Sequence, residues 1–371
     1  MKRLFIITEL FPPDETSTSY ILGEIANACA REYEVHVICG PEVYDTRKKL
    51  DTAHPFVINP TISIYRAKDS GFNKTKIIGK ALSLVLMSLR IRKLAKSLVK
   101  KGDKVLLVTN PAPLVYFISR LKKKVGFEFI LLVHDVFPEN LLSQNVSIPA
   151  MLYRFVKSVF DRSYANADRM IALGRDMKKV LLDKTGQDNK VLIVENWADT
   201  ENVRPVPFPS TDVIRVEYAG NLGRAQSLDR LIVDLPESVE LHFYGTGAME
   251  QRLKQMRHPR VFFHGPYFRS QQNDVLGACH ASIVSLSDCM YGIGVPSKSY
   301  NIMASGRPII FFGPADSEIA LIVREHDVGY IGWPKSWDIG EMKRKGDKAR
   351  NISETMFSKA IILNKFLDAI E

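Results

Sequence analysis

Residues 292–310, GIGVPSKSYNIMASGRPII, follow the apolar run ASIVSL (281–286) and lead into PIIFFG (308–313). Glycines and a proline open the stretch, helical spacing follows, and Gly306 with Arg307 and Pro308 closes it. Pro296 suits a first helical turn and Ser297 suits a cap, so the chain reads strand, loop, helix, strand. The same alternation continues on both sides, through VIRVEYAG (213–220), VELHFYG (239–245), VFFHG (261–265) and SEIALIVREH (317–326). Continuous Val, Ile and Leu runs between helical segments predict a parallel sheet covered on both faces.

The first half has the same rhythm. RLFIITEL, EVHVICG, SIYRA, KVLLVTN, FEFILLVH, RMIALG and KVLIVEN read as strands, with SYILGEIANACARE and RDMKKVLLDKTG among the helices between them. NWADTENVRPVPFP (196–209) interrupts the pattern with three prolines and no periodicity, which predicts a linker. The chain of 371 residues is thus expected to hold two doubly wound α/β units. The first covers 1–205 and the second 206–352. The amphipathic tail 353–371 needs a partner surface. Two such sheets facing each other leave a cleft at the carboxyl ends of their strands.

Composition narrows the partners. Lys and Arg number 51 against 41 Asp and Glu, a formal charge of +10, which calls for an anionic partner. Four cysteines without CxxC spacing read as reduced thiols. The start MKRLFIITELFPP reads as a first core strand, with a signal peptide as the competing reading, and no apolar run is long enough to span a membrane. We therefore expect a cytoplasmic protein.

Several clusters after strands carry candidate chemistry. Gly294, Val295, Ser297 and Lys298 open the helix of the 292–310 stretch, where free N–H groups and a cation suit a diphosphate. An ordinary junction with a solvated lysine fits the same residues. In VEYAGNLGRAQSLDRLI, Gly220, Asn221 and Gly223 form a loop that carries Arg224, whose fork of donors matches phosphate oxygens. Gly245 of GTGAME follows a strand, where it faces the nucleotide or makes a tight turn. LLVHDVFPENLL puts His134, Asp135 and Glu139 after an apolar strand, His134 as a hydrogen-bonding group for a sugar or phosphate and the carboxylates as hydroxyl ligands or helix caps. Thr16, Ser17 and Thr18 precede the first helix as contacts to an acceptor or a donor sugar, or as caps. No DxD, HExxH or Ser/His/Asp pattern is present, so the sequence demands neither metal nor cofactor.

Between Asp69 and Asp103 there is no acidic residue and there are nine basic ones, including Lys74, Lys76, Lys80, Arg90, Arg92, Lys93 and Lys96. Leucines supply an apolar face, and a basic amphipathic helix of this kind lies on anionic lipid. A packed crossover helix with a solvated basic face is the competing reading. Nucleic acid is disfavoured because no aromatics interleave with the charges.

FPPD after the first strand, HDVFPE, NWAD, YAGNLGRAQSLDRLI and GVPSKSYNIMASGRPI occur in an order that resembles the bacterial retaining glycosyltransferases of the GT-B fold that build O-antigen and capsular polysaccharides. These are similar to glycosyltransferase family 4, and the VPSK variety resembles the N-acetyl-fucosamine transferase subgroup. The resemblance implies two Rossmann-like domains, with the nucleotide-sugar, UDP-linked by expectation, in the second and a lipid-linked acceptor in the first. It implies a final helix returning to the first domain, Arg224 and Lys298 on the diphosphate, and His134 near the transferred sugar. With the basic stretch between Asp69 and Asp103, a lipid-linked acceptor leads us to expect the protein peripherally on the inner face of the cell membrane. Departures are visible: the two family glutamates align with Ile293 and Asn301, the usual Arg and Lys of the first loop with Asn221 and Gln226, and a glycine pair with Thr16 to Ser19. Asn301 retains hydrogen-bonding capacity for a ribose; Ile293 has none. A sugar-nucleotide epimerase of the same fold, using Asp135 and Glu139, and a non-catalytic relative are the rival readings.

Overall fold

The computed structural model describes residues 1–14, 16–42, 55–68, 77–143 and 148–371, without the side chains of 77, 78, 80, 81, 142 and 143. The first half forms a parallel sheet of β1 (Lys2–Ile7), β2 (Tyr33–Cys39), β3 (Ser63–Arg66), β4 (Lys104–Val108), β5 (Glu128–Leu132), β6 (Arg169–Ala172) and β7 (Val191–Ile193), in the order β3-β2-β1-β4-β5-β6-β7. Its crossovers are α1 (Ser17–Cys29), α2 (Ile77–Leu98), α3 (Ala112–Val125), α4 (Asn140–Ser143), α5 (Ala150–Ala165) and α6 (Arg175–Thr185). Every residue of β4 is buried, which is why this strand reads as an unbroken apolar run after its lysine.

The second half repeats the plan. Strands β8 (Ile214–Ala219), β9 (Val239–Tyr244), β10 (Val261–Gly265), β11 (Ala281–Ser285), β12 (Ile309–Phe312) and β13 (Gly329–Ile331) pair in parallel in the order β10-β9-β8-β11-β12-β13. Helices α7 (Asp229–Val233), α8 (Glu250–Gln255), α9 (Gln272–Gly277), α10 (Lys298–Ala304), α11 (Glu318–His326), α12 (Ile339–Thr355) and α13 (Lys359–Ile370) complete the chain. Both sheets reverse strand order at their centre, β1 against β4 and β8 against β11. These switch points are where open α/β sheets bind ligands.

Residues 194–213 form neither helix nor strand, apart from one bridge from Ala198 to Ser358. Two arginines fix this segment by filling its carbonyls. Arg307, 1% exposed, donates to the carbonyls of Val206, Pro207, Leu276 and Gly277. Arg350 reaches those of Thr200, Val203 and Ala304.

The tail is two helices rather than the single one expected over 353–371. The chain breaks at Met356–Ser358 because the carbonyl of Phe357 accepts from Ala198 N. Beyond the break, α13 packs on α1, and Lys104 donates to the carbonyls of Ile370 and Glu371 at 2.7 and 2.6 Å. A cation there completes unpaired carbonyls at the negative end of the helix dipole. Among the described residues no helix is long and apolar enough to cross a membrane.

Candidate active site

The loops after β5 and β11 meet between the sheets. Thr109 Oγ1 accepts from the backbone N–H groups of both His134 and Asp135, at 3.1 Å each, and so turns the chain as it leaves β5. Val136 N then donates to the carbonyl of Ile293 at 2.9 Å. A Cβ on Gly294 would stand 3.3 Å from Asp135 Oδ1, so glycine permits the close approach of the two loops. Farther out, Arg175 at the start of α6 clamps Glu318 and Glu325 of α11. The result is a cleft of about 370 Å3, lined by His134 and Asp135 on one side and by Gly220, Asn221 and the 294–298 segment on the other.

Lys298 and Arg269 both bring a cation to this cleft, Arg269 within 3.9 Å of Asp199 Oδ2 and Lys298 with no ion pair among the described residues. The Lys298 Nζ is buried without a hydrogen-bond partner and lies 3.2 Å from the centroid of the Tyr218 ring. Burial lowers its pKa, with the carboxylate of Glu217 pulling the other way. A buried ammonium without an acceptor is unfavourable, so an anion entering the cleft would complete it. Across the gap, His134 Nε2 is also buried and unpartnered. Burial pushes the imidazole down to about 4, so it is neutral at pH 7. A neutral ring facing the cleft can donate to or accept from a hydroxyl without adding charge.

The predicted residues divide. His134, Asp135, Ser17, Gly220, Asn221, Gly294, Val295, Ser297, Lys298 and Asn301 line the cleft together. Arg224 does not: it begins a short 3-10 turn, exposed, outside the lining. Gly223 and Gly245 shape the loops instead of lining the space. Gly245 has φ 124°, and a Cβ there would collide with the carbonyl of Gly220. Glu139 is held by Lys184 and Lys157, both at 3.0 Å, and turns away from the cleft. Asn301 uses both ends of its amide within the chain, accepting from Asp199 N and donating to Gln272 Oε1. A ribose would have to share it. Helix α10 begins at Lys298, just beyond the expected start at Pro296 or Ser297, with Ser297 in the cap position and no side-chain cap bond.

Thr16 caps α1 by accepting from Ser19 N. It faces a second cavity, of about 780 Å3, while Thr18 lines neither space. This cavity lies between α1, the 199–203 segment and residues 269–273. Tyr20, Asp199, Arg269 and Gln272 line both cavities and so form their shared wall. Arg269 stacks over the Tyr20 ring at 3.6 Å, and Tyr20 donates to Asp199 Oδ2 at 3.2 Å.

Sequence reasoning passed over Glu217, Tyr20, Tyr267 and Arg269. Glu217 carried a usable signal, a carboxylate inside the apolar run VIRVEYAG. The other three reach the cleft from separate elements, and no local spacing links them. Among the described residues, no group of three or more His, Cys, Asp or Glu is placed to hold a metal ion.

Lys74 and Lys76 lie outside the described residues, as does the side chain of Lys80 on α2. Lys93 and Lys96 are exposed, Arg90 donates to the carbonyl of Lys68, and Arg92 lies 6.0 Å from the Phe117 ring centroid. The buried ridge is Ser83, Met87, Ile91 and Ala95. Leu82, Val85 and Leu89 remain exposed, at 50%, 40% and 38%. Their spacing makes an outward apolar stripe that continues into Lys93 and Lys96.

No family model matches the chain. It is 27% identical over 395 residues to a protein of Pseudomonas aeruginosa named probable glycosyltransferase WbjE, covering 99% of this chain and 97% of that one. Among solved structures it superposes on sucrose-phosphate synthase from Thermosynechococcus elongatus with a TM-score of 0.75 at 14% identity, over 99% of this chain and 98% of the other. It superposes on Anabaena HepE in complex with UDP and glucose with a TM-score of 0.68 at 14% identity, over 100% and 99%. The chain has the GT-B fold, two Rossmann-like sheets of parallel strands with alternating helices.

Proposed function

We propose that the protein is a glycosyltransferase. It moves a sugar from a nucleoside diphosphate, UDP, to a lipid-linked saccharide with retention of anomeric configuration, in the assembly of a surface polysaccharide. The observation that carries this reading is the buried Nζ of Lys298, unpartnered among the described residues, facing neutral His134 across a cleft between two sheets. Full-length similarity to a protein named as a glycosyltransferase supports the reaction class, and a structural relative that holds UDP and glucose supports the donor.

In this mechanism the diphosphate lies against Lys298 and the Gly220–Asn221 loop. The glycosidic bond to phosphate breaks, Lys298 absorbs the charge on the leaving oxygen, and His134 hydrogen-bonds a sugar hydroxyl. The acceptor hydroxyl attacks from the face the phosphate leaves and passes its proton to a phosphate oxygen, so no protein nucleophile is needed. No metal is assigned to the step. The acceptor saccharide takes the larger cavity, whose aromatic faces (Tyr20, Phe56) and polar groups (Glu24, Asn202) suit a polyhydroxylated chain. The exposed stripe of α2 rests on anionic lipid at the inner face of the membrane.

The rival epimerase needs a carboxylate or other base at the sugar; of its two candidates Glu139 is engaged elsewhere, while Asp135 lines the cleft. The deciding experiment incubates purified protein with UDP-sugars, with and without a bacterial lipid extract. Transfer to lipid with release of UDP is expected only when extract is present. An epimerised donor formed without extract would establish the rival, and UDP-sugar binding without any transfer would point to a non-catalytic relative.

A further inference from the structure

Two buried ionisable side chains stand at the cleft, Lys298 in its lining and Glu217 behind it, and neither has an ion-pair partner among the described residues; the Lys298 Nζ lies 3.2 Å from the ring centroid of Tyr218, the residue after Glu217 in β8. Glu217 lies in β8 with no exposed surface, paired in register with His242 of β9 and Ser282 of β11. Both of its carboxylate oxygens are buried and make no well-formed hydrogen bond among the described residues, the Ser282 hydroxyl being the neighbouring polar group that favours the carboxylate. The Lys298 ammonium is in the same condition but lines the cleft, so it is the member of the pair that a ligand meets. Arg307, the other cation near Glu217, is fixed on four backbone carbonyls.

A lone buried charge is unfavourable, so the empty site is most stable when the two groups sum to zero. That holds whether they are carboxylate with ammonium or carboxylic acid with amine. A diphosphate changes the balance. It requires the ammonium form of Lys298, and its negative charge disfavours a carboxylate behind it. The bound state therefore has both groups protonated, a net charge of one, and differs from the empty state by a single proton.

Building on the donor-site reading above, we propose that Glu217 and Lys298 act as one proton-sharing pair, electroneutral in the empty cleft, that takes up a proton from solvent when a nucleoside diphosphate binds. The proton returns to solvent when the diphosphate leaves, so a full turnover is balanced. Glu217 is a positioning residue here, acting on the ligand only through Lys298. The neighbouring groups do not compete for the role. Burial holds Tyr218, Tyr244, Tyr267 and Cys279 neutral by pushing them up, and holds His134, His242, His264 and His280 neutral by pushing them down. Arg307 is lowered only to about 10 and stays charged.

Calorimetric titration of the full chain with UDP, between about pH 7 and pH 9, tests this. Above about pH 7 the terminal phosphate of UDP is already ionised, so the pH slope belongs to the protein. Affinity is expected to fall as pH rises, the Kd growing about tenfold per pH unit, with close to one proton taken up per UDP as read from two buffers of different ionisation enthalpy. The double variant E217Q/K298R carries a fixed charge with no titratable partner. Its Kd is expected to change less than about twofold over the same range, with no uptake. A flat Kd in the wild type overturns the pair while leaving the donor site intact. So does equal proton uptake in both proteins. Absence of UDP binding at every pH overturns the donor-site reading and the pair with it. Should the double variant fail to fold, the wild-type slope decides alone.

Discussion

The backbone N–H of Val136 donates to the carbonyl of Ile293 at 2.9 Å, joining the loop that carries His134 to the loop that carries Lys298. One hydrogen bond thus spans the two sheets beside the proposed reacting centre. It gives Ile293 a role despite its apolar side chain, because the backbone, not the side chain, makes the contact. A side-chain substitution at this position leaves that main-chain contact in place.

His134 is expected to contribute through a neutral ring. Replacing it with alanine removes one hydrogen bond at the transferred sugar, and transfer should fall on the order of 100-fold while UDP affinity changes little. Since burial holds its pKa near 4, activity should not titrate with this residue between about pH 6 and 8. The sign for stability follows from the same depression. The folded state prefers the neutral ring, so the contribution is complete above the unfolded value near 6.5 and is lost as pH falls toward 4. A pH–rate profile for transfer that titrates with an imidazole near pH 6.5, and loses that inflection in the alanine variant, would refute this.

Much of the fold could be read from the chain. The runs KVLLVTN and FEFILLVH fall on central strands buried on both faces, where hydrophobicity is continuous and the signal strongest. Loops after strands were equally visible, which is why His134, Gly220 and Lys298 were found together. What escaped depends on which way a side chain turns. Arg224 and Glu139 have the right chemistry in the right neighbourhood, yet one stands exposed outside the cleft and the other is drawn to Lys184. Tyr20 and Arg269, 249 positions apart by their numbers, stack only because the sheets face one another. Such long-range pairs leave no local pattern.

Lys298 and Arg224 therefore separate, although both were expected on the diphosphate. Lys298→Ala should weaken UDP binding and lower turnover on the order of 100-fold. Arg224→Ala should change turnover by less than about threefold, as for an exposed position outside the cleft lining. Steady-state rates with a UDP-sugar donor discriminate between the two. A large loss in the Arg224 variant would mean that this side chain swings into the cleft when donor binds.

Arg307, which lies near Glu217 behind the cleft, offers a stability test. Its guanidinium closes four backbone carbonyls of the 206–207 and 276–277 segments and packs 4.5 Å from the centroid of the Phe208 ring. Arg307→Met keeps much of the volume but leaves those carbonyls unpaired, at a cost of about 3–5 kcal/mol. Urea denaturation should report the loss as a lower midpoint. An unchanged midpoint would show that water replaces the guanidinium without penalty.

The exposed stripe of α2 makes the membrane proposal testable by its two components separately. Leu82, Val85 and Leu89 supply apolar area, and Lys93 with Lys96 supply charge on the same outward side. Partition onto a bilayer combines burial of the first with attraction of the second to anionic headgroups. Flotation with vesicles containing phosphatidylglycerol should therefore capture the protein at low salt and release most of it near about 1 M salt, where the screening length falls to about 3 Å. The variant L82S/V85S/L89S should lose capture at every salt concentration. K93E/K96E should lose it most at low salt, where attraction contributes most. Equal capture on neutral phosphatidylcholine vesicles would remove the electrostatic half of the proposal, and capture undiminished in the serine variant would remove α2 from the interface altogether.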